Sequence, residues 1–211
     1  MHQGTDEDAA LGPAIQDFYP DELAECYGCG RLNEHGLHIR SRWDGDETVA
    51  VYTPREYHTA IPGIVYGGLV ASVIDCHGTG SAALAGYRAA QREPGSEPPL
   101  RYVTASLHVD FVRPTPLGVP LEARGQIIEV KGRKVVVEIT LRAGGQECAK
   151  GRVVAVQLPA DMTVPAAGPR AGRDTGEERH GDGAPHQHRD QDRPHPHQHP
   201  PVPRAERPAN S

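Results

Sequence analysis

The sequence lacks a basic excess. Its 22 Lys and Arg are outnumbered by 28 Asp and Glu, giving a formal net charge of -6 over 211 residues. That excludes a broadly basic nucleic-acid face. Four cysteines in a chain of this length are too few for a disulfide framework. Residues 1–8 are acidic and polar, with no charged-then-apolar signal pattern, so the expected location is cytoplasmic. A long apolar run is missing too. Between Glu56 and Arg88 the only formal charge is Asp75, but Pro62, Gly63, Gly67, Gly68, Gly78, Gly80 and Gly86 interrupt the stretch. A spanning helix needs about 20 mostly apolar residues; a buried helix is expected instead, with no membrane partner. No internal repeat is present.

Apolar residues are also scarce at one end. Hydrophobic content is 37%, yet residues 161–211 hold only nine such residues. Without them the remainder reaches roughly 43%, near the ordinary globular range. The expected organisation is a flexible leader over residues 1–21, one domain over 22–159, and a disordered Pro-, His- and Arg-rich tail over 160–211. Isolated imidazoles such as His186, His188, His195, His197 and His199 do bind transition metals, but a low-complexity tail without selected chemistry is the simpler reading.

Inside the domain the periodicity is readable. Residues 47–52 alternate as a short strand, and residues 68–84 follow a helical pattern. Four β-like runs follow over 102–112, 120–130, 134–143 and 147–158. In the first, Val103, Ala105, Leu107, Val109 and Phe111 are expected on one face, with Thr104, Ser106, His108 and Asp110 on the other. Residues 131–133 and Gly144-Gly145 stand where tight turns are needed. Antiparallel strands with one face covered by a long helix make an α+β architecture.

At 100° per residue, Leu69, Val70, Val73, Ile74, His77 and Leu84 share one apolar arc, expected on the sheet. Ala71, Ser72, Asp75, Thr79 and Ala82 lie opposite. Asp75 is thus a lone carboxylate among small residues, a candidate general base or nucleophile. A solvated helix acid is the bland alternative. The helix opens on Gly67-Gly68, whose N–H groups sit at the positive end of the helix dipole, a place for a developing oxyanion.

Residues 61–80 (IPGIVYGGLVASVIDCHGTG) resemble the signature of PaaI-type hotdog-fold acyl-CoA thioesterases: Pro-Gly-x-x-His-Gly-Gly with an Asp eight residues past the first glycine of the pair. The run Asp110-Phe111-Val112-Arg113-Pro114 and the segment Cys26-Tyr27-Gly28-Cys29-Gly30 are similar to passages of that family in the same order. The resemblance implies an antiparallel sheet wrapped around one long central helix, assembled as a homodimer or a dimer of dimers. It implies Asp75 as catalytic carboxylate and the Gly67 N–H as carbonyl donor, with Gly68 beside it; Thr79 or Ser72, on the same helix face as Asp75, is a candidate for orienting water. It implies no cofactor, coenzyme A being part of the substrate. Tyr66 stands where the family pattern has His; its hydroxyl can hydrogen-bond but does not titrate near neutral pH. Eight residues of helix separate Gly67 from Asp75 by about 12 Å. One thioester carbonyl cannot touch both, so Gly67 of one chain is expected to face Asp75 of another. A non-hydrolytic acyl-CoA-binding protein on the same fold is the alternative.

Other residues carry weaker expectations. His58 precedes the glycine loop and is a candidate pocket residue. Arg113, Lys131, Arg133 and Lys134 could each meet coenzyme A phosphates, with Arg113 and Arg133 as candidate substrate-binding residues; solvated turn charges are the simpler reading for each alone. His77 is expected as a packed core histidine. Cys76 diverges from its neighbours Asp75 and His77, which argues against a Cys-His nucleophile. Cys26-x-x-Cys29 with His35 and His38 has an unusual spacing for zinc, and no metal is expected.

Overall fold

The computed structural model describes residues 12–159. Eight strands and one long helix follow in chain order: β1 (Arg42–Asp44), β2 (Glu47–Tyr52), β3 (Thr59–Ile61), β4 (Ile64–Val65), α1 (Gly67–Ala89), β5 (Tyr102–Phe111), β6 (Leu121–Lys131), β7 (Lys134–Ala143) and β8 (Gln146–Gln157). Six strands form one antiparallel sheet in the order β1-β2-β6-β7-β8-β5, and β3 pairs with β4 separately. This is the hotdog arrangement of a sheet around one central helix. Alternation builds it. Val135, Val137, Ile139, Leu141 and Ala143 of β7 are buried, while Glu138 is exposed. The β6–β7 and β7–β8 turns close through Gly132, Gly144 and Gly145 at positive φ.

The helix lays Leu69, Val70, Val73, Ile74, His77 and Leu84 into the core, all 5% exposed or less. Close approach requires missing side chains: a Cβ on Gly151 would sit 2.3 Å from Ile74 Cγ2. Ala71, Ser72, Asp75 and Thr79 remain half-exposed, whereas Ala82 is covered. The helix runs five residues beyond its expected end, because Ala85 continues the main core and Tyr87 packs in a second cluster with Leu100 and Ile15. No helix among the described residues is long and apolar enough to cross a membrane.

The expectation of a flexible leader over 1–21 does not hold for residues 14–18. Ile15–Phe18 form a 3-10 turn, with Ala14, Ile15 and Gln16 buried. Gln16 Oε1 accepts the Ser41 N–H at 2.8 Å, and Ile15 joins the cluster of Ala83, Leu84 and Tyr87. Three side chains that fill a gap beside the helix suffice to order the segment. Residues 1–11 and the expected tail over 160–211 lie outside the described residues.

His77 is a core histidine. Its Nδ1 lies 3.0 Å from Ser41 Oγ and its Nε2 3.4 Å from Thr48 Oγ1. Burial pushes it down from 6.5 to about 4. Above pH 6.5 it is neutral folded or unfolded and contributes no pH dependence. Below 6.5 the unfolded chain takes up a proton that the folded chain refuses, so stability falls by about 3 kcal/mol by pH 4. Urea unfolding at pH 7.5 and pH 4.5 is expected to show that loss, and His77→Gln to flatten it.

Candidate active site

The helix start is fixed by backbone. Tyr66 occupies the N-cap position in extended conformation, its carbonyl accepting from Leu69 N and Val70 N. Tyr66 N–H in turn donates to the His58 carbonyl, and Val65 N–H to that of Thr115. The Gly67 and Gly68 N–H groups find no acceptor among the described residues, as expected of the first helical turn. The Tyr66 ring lies over Gly68, where a Cβ would come within 2.3 Å of it. Tyr66 is 58% exposed and brings its hydroxyl beside the glycine pair. Gly67 faces Phe111 of β5, whose ring would lie 3.4 Å from a Cβ built there.

Asp75 sits two turns further along the half-exposed helix face. Its Oδ1 accepts a 2.6 Å hydrogen bond from Thr104 Oγ1. Strict alternation places Thr104 on the wrong face for this contact. The register of β5 against β8 shifts between Thr104 and Ser106. That bulge leaves Thr104 opposite Ala155, and Leu107, Val109 and Phe111 opposite Val153, Gly151 and Ala149, all on the helix side. The expected faces are therefore corrected: Thr104 shares its face with Leu107, and Val103 does not. One extra residue in an edge strand re-aims a side chain in this way, and nothing in the composition of residues 102–112 signals it. Thr104, which holds the Asp75 carboxylate, is the candidate site residue that sequence reasoning missed.

The other expected site residues separate into those near Asp75 and those elsewhere. Ser72 Oγ donates to the Gly68 carbonyl at 2.8 Å, and Thr79 Oγ1 to the carbonyls of Cys76 and Asp75 at 3.2 and 3.3 Å. Both hydroxyls are spent on the helix's own backbone, as serine and threonine in helices often are, so neither holds the Asp75 carboxylate. The His58 ring is engaged by the Arg55 N–H, by Tyr52 Oη and by Tyr57 edge-on. Burial, with Arg55 adding to it, lowers its pKa. Arg113 donates to Gln146 Oε1 at one end of the sheet, while Arg133 sits in the β6–β7 turn at the other. The length of β7 between them is about 33 Å, so within one chain the two arginines do not converge on one phosphate group.

Cys76 turns away from Asp75 toward the N-terminal segment, its Sγ 3.9 Å from Cys26 Sγ. Hydrogen bonds from the Cys29 and Cys76 thiols, then from the Cys29 and Gly28 N–H groups, hold Cys26 far below the usual thiol range, at about 2. The same sharing pushes Cys29 up to about 12 and Cys76 upward as well.

Taken together, the half-exposed helix face and the inner side of β5 form one continuous surface, joined by the Thr104–Asp75 hydrogen bond and the approach of Phe111 to Gly67. One carboxylate lies at one end, free helix-start amides at the other, and Leu107 and Phe111 beside them, 39% and 58% exposed. β5 is the last strand of the sheet, so this surface ends at an unpaired strand edge among the described residues. An electrophilic carbonyl bound at the amides could be polarised, and the carboxylate could take a proton from water.

Known proteins place this chain in a family. The thioesterase superfamily model matches residues 62–150, which span both the glycine pair and Asp75. A thioesterase superfamily protein from Shewanella loihica PV-4 is 46% identical, over 67% of this chain and 100% of its own, with a TM-score of 0.51. A thioesterase from Haemophilus influenzae, 16% identical, shares the fold over 76% of this chain and 95% of its own, with a TM-score of 0.51. The PaaI protein of E. coli, from the phenylacetic acid degradation operon, matches at 20% identity over 58% of this chain and 81% of its own, with a TM-score of 0.46. No curated protein matches the chain. With the fold, the family model and a relative this similar over its whole length in agreement, the chain belongs to the thioesterase superfamily.

Proposed function

We propose that the protein hydrolyses acyl-CoA thioesters as a homodimer, with each active site built from the Asp75 of one protomer and the Gly67 N–H of the other. The observation that carries the reading is the Asp75 carboxylate, held by Thr104 on a helix face otherwise made of small residues. Thr104 occupies Oδ1 and leaves Oδ2 to take a proton from water. The water oxygen attacks the thioester carbonyl carbon, and the carbonyl oxygen gathers negative charge at the Gly67 N–H and the positive helix terminus. The C–S bond then breaks, and the coenzyme A thiolate leaves and is protonated. Direct attack by Asp75 through an anhydride gives the same products.

Geometry favours two chains. Along one helix, Gly67 and Asp75 are about 12 Å apart, too far to share one carbonyl. An antiparallel partner joined at the free edge of β5 would bring each glycine pair toward the opposite Asp75, and would cover Leu107 and Phe111. No cofactor is required by this chemistry.

Thr104 acts through Asp75 as a positioning residue. Thr104→Val removes one hydrogen bond to a charged group, and kcat is expected to fall about tenfold. A wild-type rate would show that Asp75 needs no anchor. The direct test of the activity is thiol release from short-chain, long-chain and aryl coenzyme A thioesters. Turnover on at least one class supports the reading. Saturable coenzyme A binding without thiol release on any class would move the assignment to a non-hydrolytic acyl-CoA-binding protein, with Tyr66 over the glycine pair as its mark.

A further inference from the structure

Three of the four cysteines meet at a place the hydrolytic site does not use. Cys26 and Cys29 come from the N-terminal segment and Cys76 from α1, and their three Sγ atoms all lie within 4.8 Å of one another. None is in a disulfide. We propose that these three thiolates bind one thiophilic divalent cation, zinc(II) as the reference ion, and that the ion fastens the N-terminal segment to the helix.

The spacing suits a shared cation. Zinc–sulfur bonds of 2.3 Å arranged tetrahedrally put neighbouring sulfurs about 3.8 Å apart. Cys26 and Cys76 are 3.9 Å apart, whereas a disulfide would need about 2.05 Å. The loop is built to hold the sulfurs there without the ion. Gly30 N–H donates to the Cys26 carbonyl at 2.8 Å, and a Cβ on Gly30 would lie 2.4 Å from Ala24 O and Cys26 N. Gly28 presses its bare Cα against the helix cysteine, where a Cβ would lie 2.1 Å from Cys76 Sγ. The loop is tied on its far side too, Leu37 N–H bonding to Tyr27 O and Ile39 N–H to Gly28 O. Cys29 and Cys76 are buried and Cys26 is exposed. That gives a cation an entry path and leaves a fourth position for water or an exogenous ligand.

Three sulfur ligands and no carboxylate favour soft cations over magnesium or calcium. Binding releases the thiol protons to solvent, so affinity rises with pH. Cys26-x-x-Cys29 lacks a histidine pair at zinc-finger spacing, and its third ligand lies fifty residues away on the helix, out of reach of a spacing argument.

The test uses the full chain, reduced and free of oxygen, titrated with cobalt(II) as a spectroscopic stand-in for zinc. Thiolate-to-cobalt charge-transfer absorption separates sulfur ligation from any binding by the twelve histidines. The expected result is saturation at one equivalent and displacement by zinc. The signal should fall in Cys26→Ser, Cys29→Ser and Cys76→Ser, vanish in the triple variant, and be unchanged in Cys148→Ser, which alters the cysteine outside the cluster. Because Cys76→Ser alters a buried position, the exposed Cys26→Ser carries the second readout: zinc should raise the wild-type Tm and leave that of Cys26→Ser unmoved. No charge-transfer band, a band that survives the triple variant, or a Tm that zinc raises equally in both proteins would overturn the proposal. So would thiols that close a Cys26–Cys76 disulfide when oxidised and hold no metal when reduced.

Discussion

Asp75→Asn is expected to reduce thioester turnover by about 10²–10⁴-fold, the usual contribution of a positioned general base. The amide is isosteric and can still accept the Thr104 hydroxyl, so the bond at Oδ1 survives. What is lost is the capacity to take a proton or to attack. Asp75 is half-exposed, so neutralising it leaves no buried charge unpaired and the fold is expected to stand. Circular dichroism and thermal melting check that, and steady-state thiol release reads the loss. A mutant with wild-type kcat and unchanged KM would remove Asp75 from the chemistry.

Gly67→Pro carries the second large effect, expected at about 10²–10³-fold in kcat, the usual consequence of deleting one oxyanion donor. Proline deletes the N–H and adds its ring carbons. It is favoured at the first helical residue, and Tyr66 before it already has the extended backbone that a following proline requires. Gly67→Ala is the matched control. It keeps the N–H, and its Cβ would meet the Phe111 ring at 3.4 Å, an ordinary contact. If proline and alanine cost the same, bulk at the helix start explains the loss and the amide does not.

Much of this fold is legible in the sequence, for a physical reason. The apolar alternation in the sequence of β2 and β7 marks them as strands, although Val49 and Val136 are buried as well as the inward faces, and the helix arc from Leu69 to Leu84 is read from its 3.6-residue period. The glycine pair and Asp75 stand out because small residues and a lone acid are unusual on a helix face. Three features stay hidden. The bulge in β5 inverts the face of Thr104 without any change in composition. Residues 14–18 look like polar leader, yet Ile15 and Gln16 complete the packing beside Leu84 and Ser41. Cys76 joins Cys26 and Cys29 only through the fold. In each case the deciding partner is remote in sequence, which no local period reports.

The proposal that one active site draws on two chains is tested most directly by mixing the two inactive variants. Asp75→Asn and Gly67→Pro subunits, differently tagged, are co-expressed or allowed to exchange. A heterodimer then holds one site with Gly67 from the first chain and Asp75 from the second, both intact, and one site with both defects. With random pairing, half the dimers are mixed and each has one of two sites working, so about a quarter of wild-type activity should return. Isolated heterodimers should show about half. Recovery of that size is the predicted result. No recovery above the two parents, in a mixture shown to contain heterodimer, would place Gly67 and Asp75 in separate roles and contradict the account.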